Sequence, residues 1–127
     1  MRKSIENLAG RKETGGRKIS SRMRRKFEID RYPNEPVLGS NSLLTRRVRG
    51  GNLKMAYKHI EYVNVSNKEE KKTTKTKIIR VVKNPANKDY ERRGVLSKGA
   101  IVETEHGLAK IVSRPGQDGT LNAVLTK

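Results

Sequence analysis

The 127-residue sequence has no cysteine and no tryptophan, a single phenylalanine and four tyrosines. Without cysteine, disulfides, cysteine-based zinc sites and thiol catalysis are excluded, so stability must come from packing and from a partner. The shortage of aromatics removes the stacking platform that unstacked single-stranded bases prefer. Long apolar runs are missing too: the longest are three residues, Met55 to Tyr57, Ala100 to Val102 and Ala123 to Leu125. None is long enough for a bilayer-spanning helix, so no membrane partner is expected. Met1 to Gly10 lacks the apolar segment of a secretory signal, and a cytoplasmic location is expected on that ground.

Catalytic groups are equally sparse. The two histidines, His59 and His106, have no second histidine or cysteine beside them in sequence, and read as a strand side chain and a turn residue. Glu103 and Glu105 share a strand face at i, i+2, a spacing open to acid–base work, but such a pair is more often the solvent face of a strand or a neutraliser of nearby lysines. Two glycine pairs, in Thr14 to Arg17 (T-G-G-R) and Arg49 to Asn52 (R-G-G-N), lack the strand–loop–helix context of a nucleotide-binding loop. The expectation is therefore a non-enzymatic protein with no metal, no cofactor and no small-molecule substrate.

What the chain does contain is positive charge. Thirty Lys and Arg face thirteen Asp and Glu, a formal +17. Residues 1–60 carry 16 basic and 5 acidic groups, residues 61–127 carry 14 and 8, so the N-terminal half is the electrostatic half. A surplus of this size opposes compaction unless a polyanion neutralises it, which points to nucleic acid. The surplus is densest from Gly10 to Lys26, where eight of seventeen residues are basic: Arg11, Lys12, Arg17, Lys18, Arg22, Arg24, Arg25 and Lys26. Only Ile19 and Met23 are apolar there, so the segment is not expected to fold on itself and reads as an arm that orders on phosphates. Two further cationic clusters lie in the body, Arg46, Arg47 and Arg49 with Lys54 around the Gly50-Gly51 pair, and Arg92-Arg93 beside Gly94. Arg114 adds one more cation, although the loop around it reads first as a shaped turn in which Asp118 neutralises Arg114. Solvated surface charge is the plain alternative for each cluster. With few aromatics, phosphate and groove contacts to folded RNA are the expected mode, and an architectural DNA-binding protein with a basic arm is the competing one.

The pattern downstream is β. Phe27 to Gly39 contains Pro33 and Pro36, which forbid a helix and reduce any strand to an edge or strap, pinned by Phe27, Ile29, Tyr32, Val37 or Leu38. From Leu53 to Val65 apolar side chains alternate strictly, predicting one long, bent strand. Ser66 to Thr74 is polar and reads as an exposed hairpin tip, and Thr76 to Lys83, rich in β-branched residues, as the returning strand. Asn87 is placed to cap a short helical turn over Lys88 to Arg93, closed by Gly94. Short strands follow at Val95 to Ser97, Ala100 to Glu105, Leu108 to Ser113 and Thr120 to Leu125, joined by a two-residue connection at His106-Gly107 and a tight loop at Pro115 to Gly119. Closely spaced short strands in so short a chain predict an all-β fold, a small closed or nearly closed barrel with one short helical turn, preceded by the extended basic arm. Residues 1–39 are the expected arm and strap, and 40–127 the expected barrel domain.

These motifs together resemble one family, the archaeal-type S-eight-e family of small-subunit ribosomal proteins. The matching pieces run almost the full length: G-R-K-x-T-G-G-R (Gly10 to Arg17), the basic cluster Arg22 to Lys26 with Phe27-Glu28, R-V-R-G-G-N-x-K (Arg47 to Lys54), N-P-A-N (Asn84 to Asn87), R-R-G (Arg92 to Gly94), K-G-A (Lys98 to Ala100) and S-R-P-G-Q-D-G-x-x-N-A-x-L (Ser113 to Leu125). The last of these is the most specific. The resemblance implies a structural constituent of the small ribosomal subunit in the cytoplasm. Its implied partners are small-subunit ribosomal RNA, threaded by the arm, and other small-subunit ribosomal proteins.

Overall fold

A computed structural model of the chain describes residues 10–19, 22, 25 and 32–126. Expectations placed on Met1 to Ala9, Arg24, Lys26, Phe27 and Ile29 lie outside the described residues. From Asn34 onward the chain is one compact unit. It runs through β1 (Val37–Leu38), β2 (Ser42–Arg47), a 3-10 turn (Arg49–Gly51), β3 (Leu53–Ile60), β4 (Tyr62–Asn67), β5 (Lys72–Lys83), α1 (Lys88–Arg92), β6 (Ile101–Thr104), β7 (Gly107–Ile111), α2 (Pro115–Asp118) and β8 (Asn122–Leu125).

The strands divide between a closed barrel, in the order β4-β5-β6-β7-β8, and a three-stranded sheet in the order β1-β3-β2. Neighbours around the barrel are antiparallel until the last pairing, where β8 returns parallel to β4 with Val65 opposite Ala123. β5 reaches both of its neighbours because its first half pairs with β4 and its second half with β6, with register shifts that bend it. A five-stranded barrel has a narrow bore, and its interior is filled by alternating small and larger side chains. Ala100, Ala109 and Ala123 are buried at the crowded positions, while Val63, Val65, Ile78, Val102 and Ile111 supply most of the volume. Fully burying a valine or isoleucine contributes about 1.5–3 kcal/mol, so this one core carries the unit.

The expected single strand from Leu53 to Val65 is two strands in two sheets. Ala56 and Ile60 are buried on one parity, Val63 and Val65 on the other, so the pleat slips by one residue at Glu61. Unbroken alternation would have put the valines on the side of Leu53 and Met55, which are 67% and 54% exposed. The corner is held by polar bonds that periodicity does not reveal. The Glu61 N–H donates to the Asn41 side chain (2.9 Å), its carbonyl accepts from the Ile78 N–H (3.0 Å), and its carboxylate pairs with Lys77 (2.9 Å).

Other boundaries shift for local reasons. β2, Ser42–Arg47, is an additional strand, mostly exposed and without a two-residue burial pattern. Val95 to Ser97 is no strand: Val95 makes an isolated bridge to Val37, and the Leu96 N–H donates to the Pro36 carbonyl (2.8 Å). The β6–β7 connection is Glu105-His106, because Thr104 still pairs with Gly107, which at φ 115 only glycine readily adopts. The Pro115 to Gly119 loop contains a helical turn ended by Gly119 at φ 66. The α1 expectation holds, with the Asn87 side chain accepting from the Asp89 N–H at 2.9 Å.

Residues up to Pro33 form a separate unit. Within it, Gly10 to Lys18 is not uniformly extended. The Gly15 N–H donates to the Lys12 carbonyl (2.9 Å), the Lys12 N–H to the Gly16 carbonyl (2.8 Å) and the Lys18 N–H to the Gly10 carbonyl (3.1 Å). That is a small hairpin, made of backbone bonds that need no apolar core. Tyr32 is 68% exposed and does not act as a buried pin in this unit.

The α2 turn lies against the edge of β3 away from β2, with the Asn34 side-chain amide donating to the Tyr57 carbonyl there. Contact is close enough to require glycine: a Cβ on Gly116 would stand 2.8 Å from the Asn34 carbonyl oxygen, and one on Gly119 3.1 Å from the Met55 Cβ. Gly116→Ala is therefore expected to lower the unfolding free energy by about 1–3 kcal/mol in urea denaturation, while Gln117→Ala, on an exposed neighbour, stays within roughly 0.5 kcal/mol. A Gly116→Ala protein as stable as the parent would contradict the close approach.

Candidate nucleic-acid interface

The first body cluster is built by the β2–β3 hairpin. Antiparallel pairing sets Arg46 directly opposite Lys54 and Arg47 opposite Leu53, so Arg46 and Lys54 share one face while Arg47 points to the other. Arg49 stands in the turn between the strands, where Gly50 (φ 72) and Gly51 (φ 76) allow the tight reversal and the Val48 N–H donates to the Asn52 carbonyl (2.8 Å). The Lys54 ammonium donates to the Gln117 side-chain oxygen, which brings the α2 turn to this cluster. Arg114 precedes that turn. Its main-chain N–H, not its guanidinium, is bonded to the Asp118 carboxylate (2.9 Å), which corrects the expectation that Asp118 neutralises Arg114. Among the described residues, Arg46, Arg47, Arg49 and Arg114 form no ion pair. Arg47, Arg49 and Arg114 are exposed and Arg46 is half-buried.

The second cluster behaves differently. The Arg93 guanidinium donates to Glu35 (2.8 Å) and to Asp89 (2.8 Å), and lies 5.4 Å from the centre of the Tyr90 ring, whose hydroxyl donates to Glu35 (3.2 Å). The hydrogen bond to Glu35, followed by the nearby Asp89 charge, raises the Arg93 pKa above its ordinary value. Arg93 thus ties α1 to the segment before β1. Arg92 pairs with Asp89 at 3.0 Å but keeps 82% of its side chain exposed. Spacing in sequence had grouped the two arginines together, whereas the fold gives one an internal partner on another segment and leaves the other on the surface.

In the N-terminal unit Arg11, Lys12, Arg17 and Lys18 sit on the small hairpin, all exposed, and Arg22 and Arg25 are exposed beyond it. A further group of cations went unassigned in the sequence. Lys68, Lys71, Lys72 and Lys75 crowd the β4–β5 tip, exposed, with Lys75 5.0 Å from the Tyr62 ring centre. Glu69 and Glu70 lie among them in sequence, so the tip reads there as mixed charge.

The carboxylate pair does not assemble a site. Glu103 is bonded to Arg80 at 2.5 Å, and Glu105 lies in the exposed β6–β7 turn. His59 is half-buried in β3 beside Gly39, and His106 is exposed in the same turn as Glu105.

A family model described as Ribosomal protein S8e matches residues 6–126. The chain belongs to the ribosomal protein S8e family. Among relatives, the small ribosomal subunit protein eS8 of Sulfurisphaera tokodaii is 48% identical over 118 residues, covering 92% of each chain. That of Methanocorpusculum labreanum is 50% identical over 115 residues (91% of this chain, 92% of the relative), and that of Nanoarchaeum equitans 50% over 105 (83% of each). The family match spans both the cationic N-terminal segment and the barrel, and so includes every cation considered above.

The two classes of body arginine separate in a stability measurement. Arg93→Gln should lower the urea midpoint because it leaves Glu35 and Asp89 without their shared partner, and Arg49→Gln should leave the midpoint where it was. Equal midpoints would mean that the Glu35–Arg93 tie holds nothing.

Proposed function

We propose that this S8e-family protein is a non-enzymatic structural constituent of the small ribosomal subunit that binds and stabilises folded ribosomal RNA. Residues 1–39 act as arm and strap and the folded body as anchor. Its partners are small-subunit ribosomal RNA and neighbouring small-subunit proteins, and its place is the ribosome in the cytoplasm. The observation that carries this reading is the combination of body cations without an acid partner among the described residues, Arg46, Arg47, Arg49 and Arg114, with relatives named as small-subunit proteins over nearly the whole chain. Neutralisation of closely spaced phosphates by the arm lowers the repulsion between RNA helices and lets them approach.

Folded RNA is favoured over unstacked strands by the tyrosines. Tyr57 is half-buried, Tyr62 lies under Lys75, and Tyr90 is bonded to Glu35, so these three do not form a row of free rings for base stacking. Arg93 is assigned to the fold on the strength of its internal bonds, and the body contacts to RNA fall to Arg46, Arg47, Arg49, Lys54, Arg92 and Arg114.

Salt dependence tests the assignment. If the eight arm cations each release a counterion at about 0.7–0.9 decades of affinity per decade of salt, binding falls by about 3 to 4 decades between 50 and 200 mM on their account. Replacing all eight by glutamine in the full chain should remove that dependence and leave the shallower slope of the body. An unchanged slope would overturn the arm's role. Equal affinity for duplex DNA and small-subunit ribosomal RNA at fixed salt would instead favour the architectural DNA-binding alternative.

A further inference from the structure

The hairpin at Gly10 to Lys18 has a three-residue loop, Glu13-Thr14-Gly15, with Gly15 at φ 81. The Gly15 N–H to Lys12 carbonyl bond closes a β-turn over Glu13-Thr14, and the left-handed Gly15 follows it, a three-residue loop common between two antiparallel strands. The pairs Lys12–Gly16 and Gly10–Lys18 each carry a backbone hydrogen bond, and Arg11 and Arg17 face each other between them. Bonded and non-bonded pairs alternate in an antiparallel ladder, so Arg11–Arg17 is the non-bonded pair, the position at which opposing side chains come closest. The Arg11 guanidinium donates one N–H to the Gly15 carbonyl (3.0 Å), and a guanidinium has five such donors, so most remain open.

Two arginines therefore occupy the one cross-strand position where like charge does the most harm. Like charges directly opposite destabilise a pair, the hairpin has no apolar face, and an isolated two-stranded ribbon is marginal at best in water. Glu13, the only acid in the segment, is in the loop and not between the arginines. An anion held by both guanidinium groups would relieve that repulsion. A phosphate diester suits that role, since guanidinium donors match phosphate oxygens.

We propose that the Gly10–Lys18 hairpin is a phosphate clamp whose closure is coupled to occupation: Arg11 and Arg17 jointly hold one backbone phosphate of folded RNA, and that phosphate stabilises the closed ribbon. The inference rests on the RNA-binding reading above and adds a defined shape to part of the arm. Closure and binding are linked, so whatever opens the ribbon weakens RNA binding without removing a cation.

The test uses the full-length protein by NMR, with the Hα–Hα contact between Arg11 and Arg17 as the measure of closure. Inorganic triphosphate should raise the closed fraction more than sodium chloride at matched ionic strength, and a small-subunit ribosomal RNA fragment should raise it further. Arg17→Gln should increase the closed-to-open ratio of the free protein by about two- to five-fold and remove the triphosphate response. Gly15→Val, which strains the left-handed loop position at unchanged charge, should weaken RNA binding with the salt slope retained. An equal response to chloride and triphosphate would mean general screening and overturn the clamp, as would a triphosphate response that persists in Arg17→Gln. Wild-type RNA affinity in Gly15→Val would reject the clamp while leaving RNA binding intact. A hairpin that closes on triphosphate in a protein without affinity for the RNA fragment would reject the RNA-binding reading instead.

Discussion

The constraint on which the rest depends is that thirteen acids cannot neutralise thirty bases. The fold places several of the acids at joints. Glu61 pairs with Lys77 at the corner where the chain leaves the three-stranded sheet for the barrel, Glu103 with Arg80 across the β5–β6 pair, and Glu35 with Arg93 between the approach to β1 and helix α1. Each of these pairs is partly exposed and individually weak, but each sits where two elements must be held together. Among the described residues the cations of the β2–β3 hairpin have no acid partner, and neither do Lys68, Lys71 and Lys72 at the β4–β5 tip.

Around that constraint the body is economical in volume. A five-stranded barrel leaves room for only small residues at its crowded levels, and Ala100, Ala109 and Ala123 occupy them with no measurable or almost no exposure. Among the described residues Thr76, Asn84 and Thr104 are the buried polar groups; Asn84 is the hub of a bonded set, whereas the Thr76 hydroxyl has no partner. The Asn84 amide donates to the Val95 carbonyl (2.9 Å), while its oxygen accepts from the Ser97 hydroxyl (3.0 Å) and the Ala86 N–H (3.1 Å), which closes the loop on either side of α1. Such a network stabilises only when every member is satisfied.

The long C-terminal motif, S-R-P-G-Q-D-G, serves packing and charge at once. Gly116 and Gly119 admit the Asn34 carbonyl and Met55, Pro115 is buried, and Asp118 caps the turn through the Arg114 N–H. With Asp118 occupied by the main chain, the Arg114 guanidinium keeps its full charge. Gln117 in turn holds Lys54 beside Arg46, two cations that antiparallel register sets face to face. The same arrangement of opposed cations recurs in the Arg11–Arg17 pair of the N-terminal hairpin.

Residue types and near-neighbour patterns by themselves determined the all-β class, the capped turn at Asn87 and the cationic character of residues 10–26, and short motifs carried the resemblance to the S8e family; closely spaced strands predicted a closed or nearly closed barrel, and its closure was decided by the parallel pairing of β4 with the distant β8. Whether a run of alternating residues continues in one sheet was decided only in three dimensions: at Glu61 bonds from Asn41 and Ile78, twenty and seventeen residues away, slip the pleat. The division of the arginines was decided there as well. Arg92 and Arg93 are adjacent and alike in sequence, and only the arrival of Glu35 from a distant segment makes one a structural tie and leaves the other facing solvent. Local chemistry sets what a residue carries, but whether its charge is compensated depends on which long-range neighbour the fold delivers.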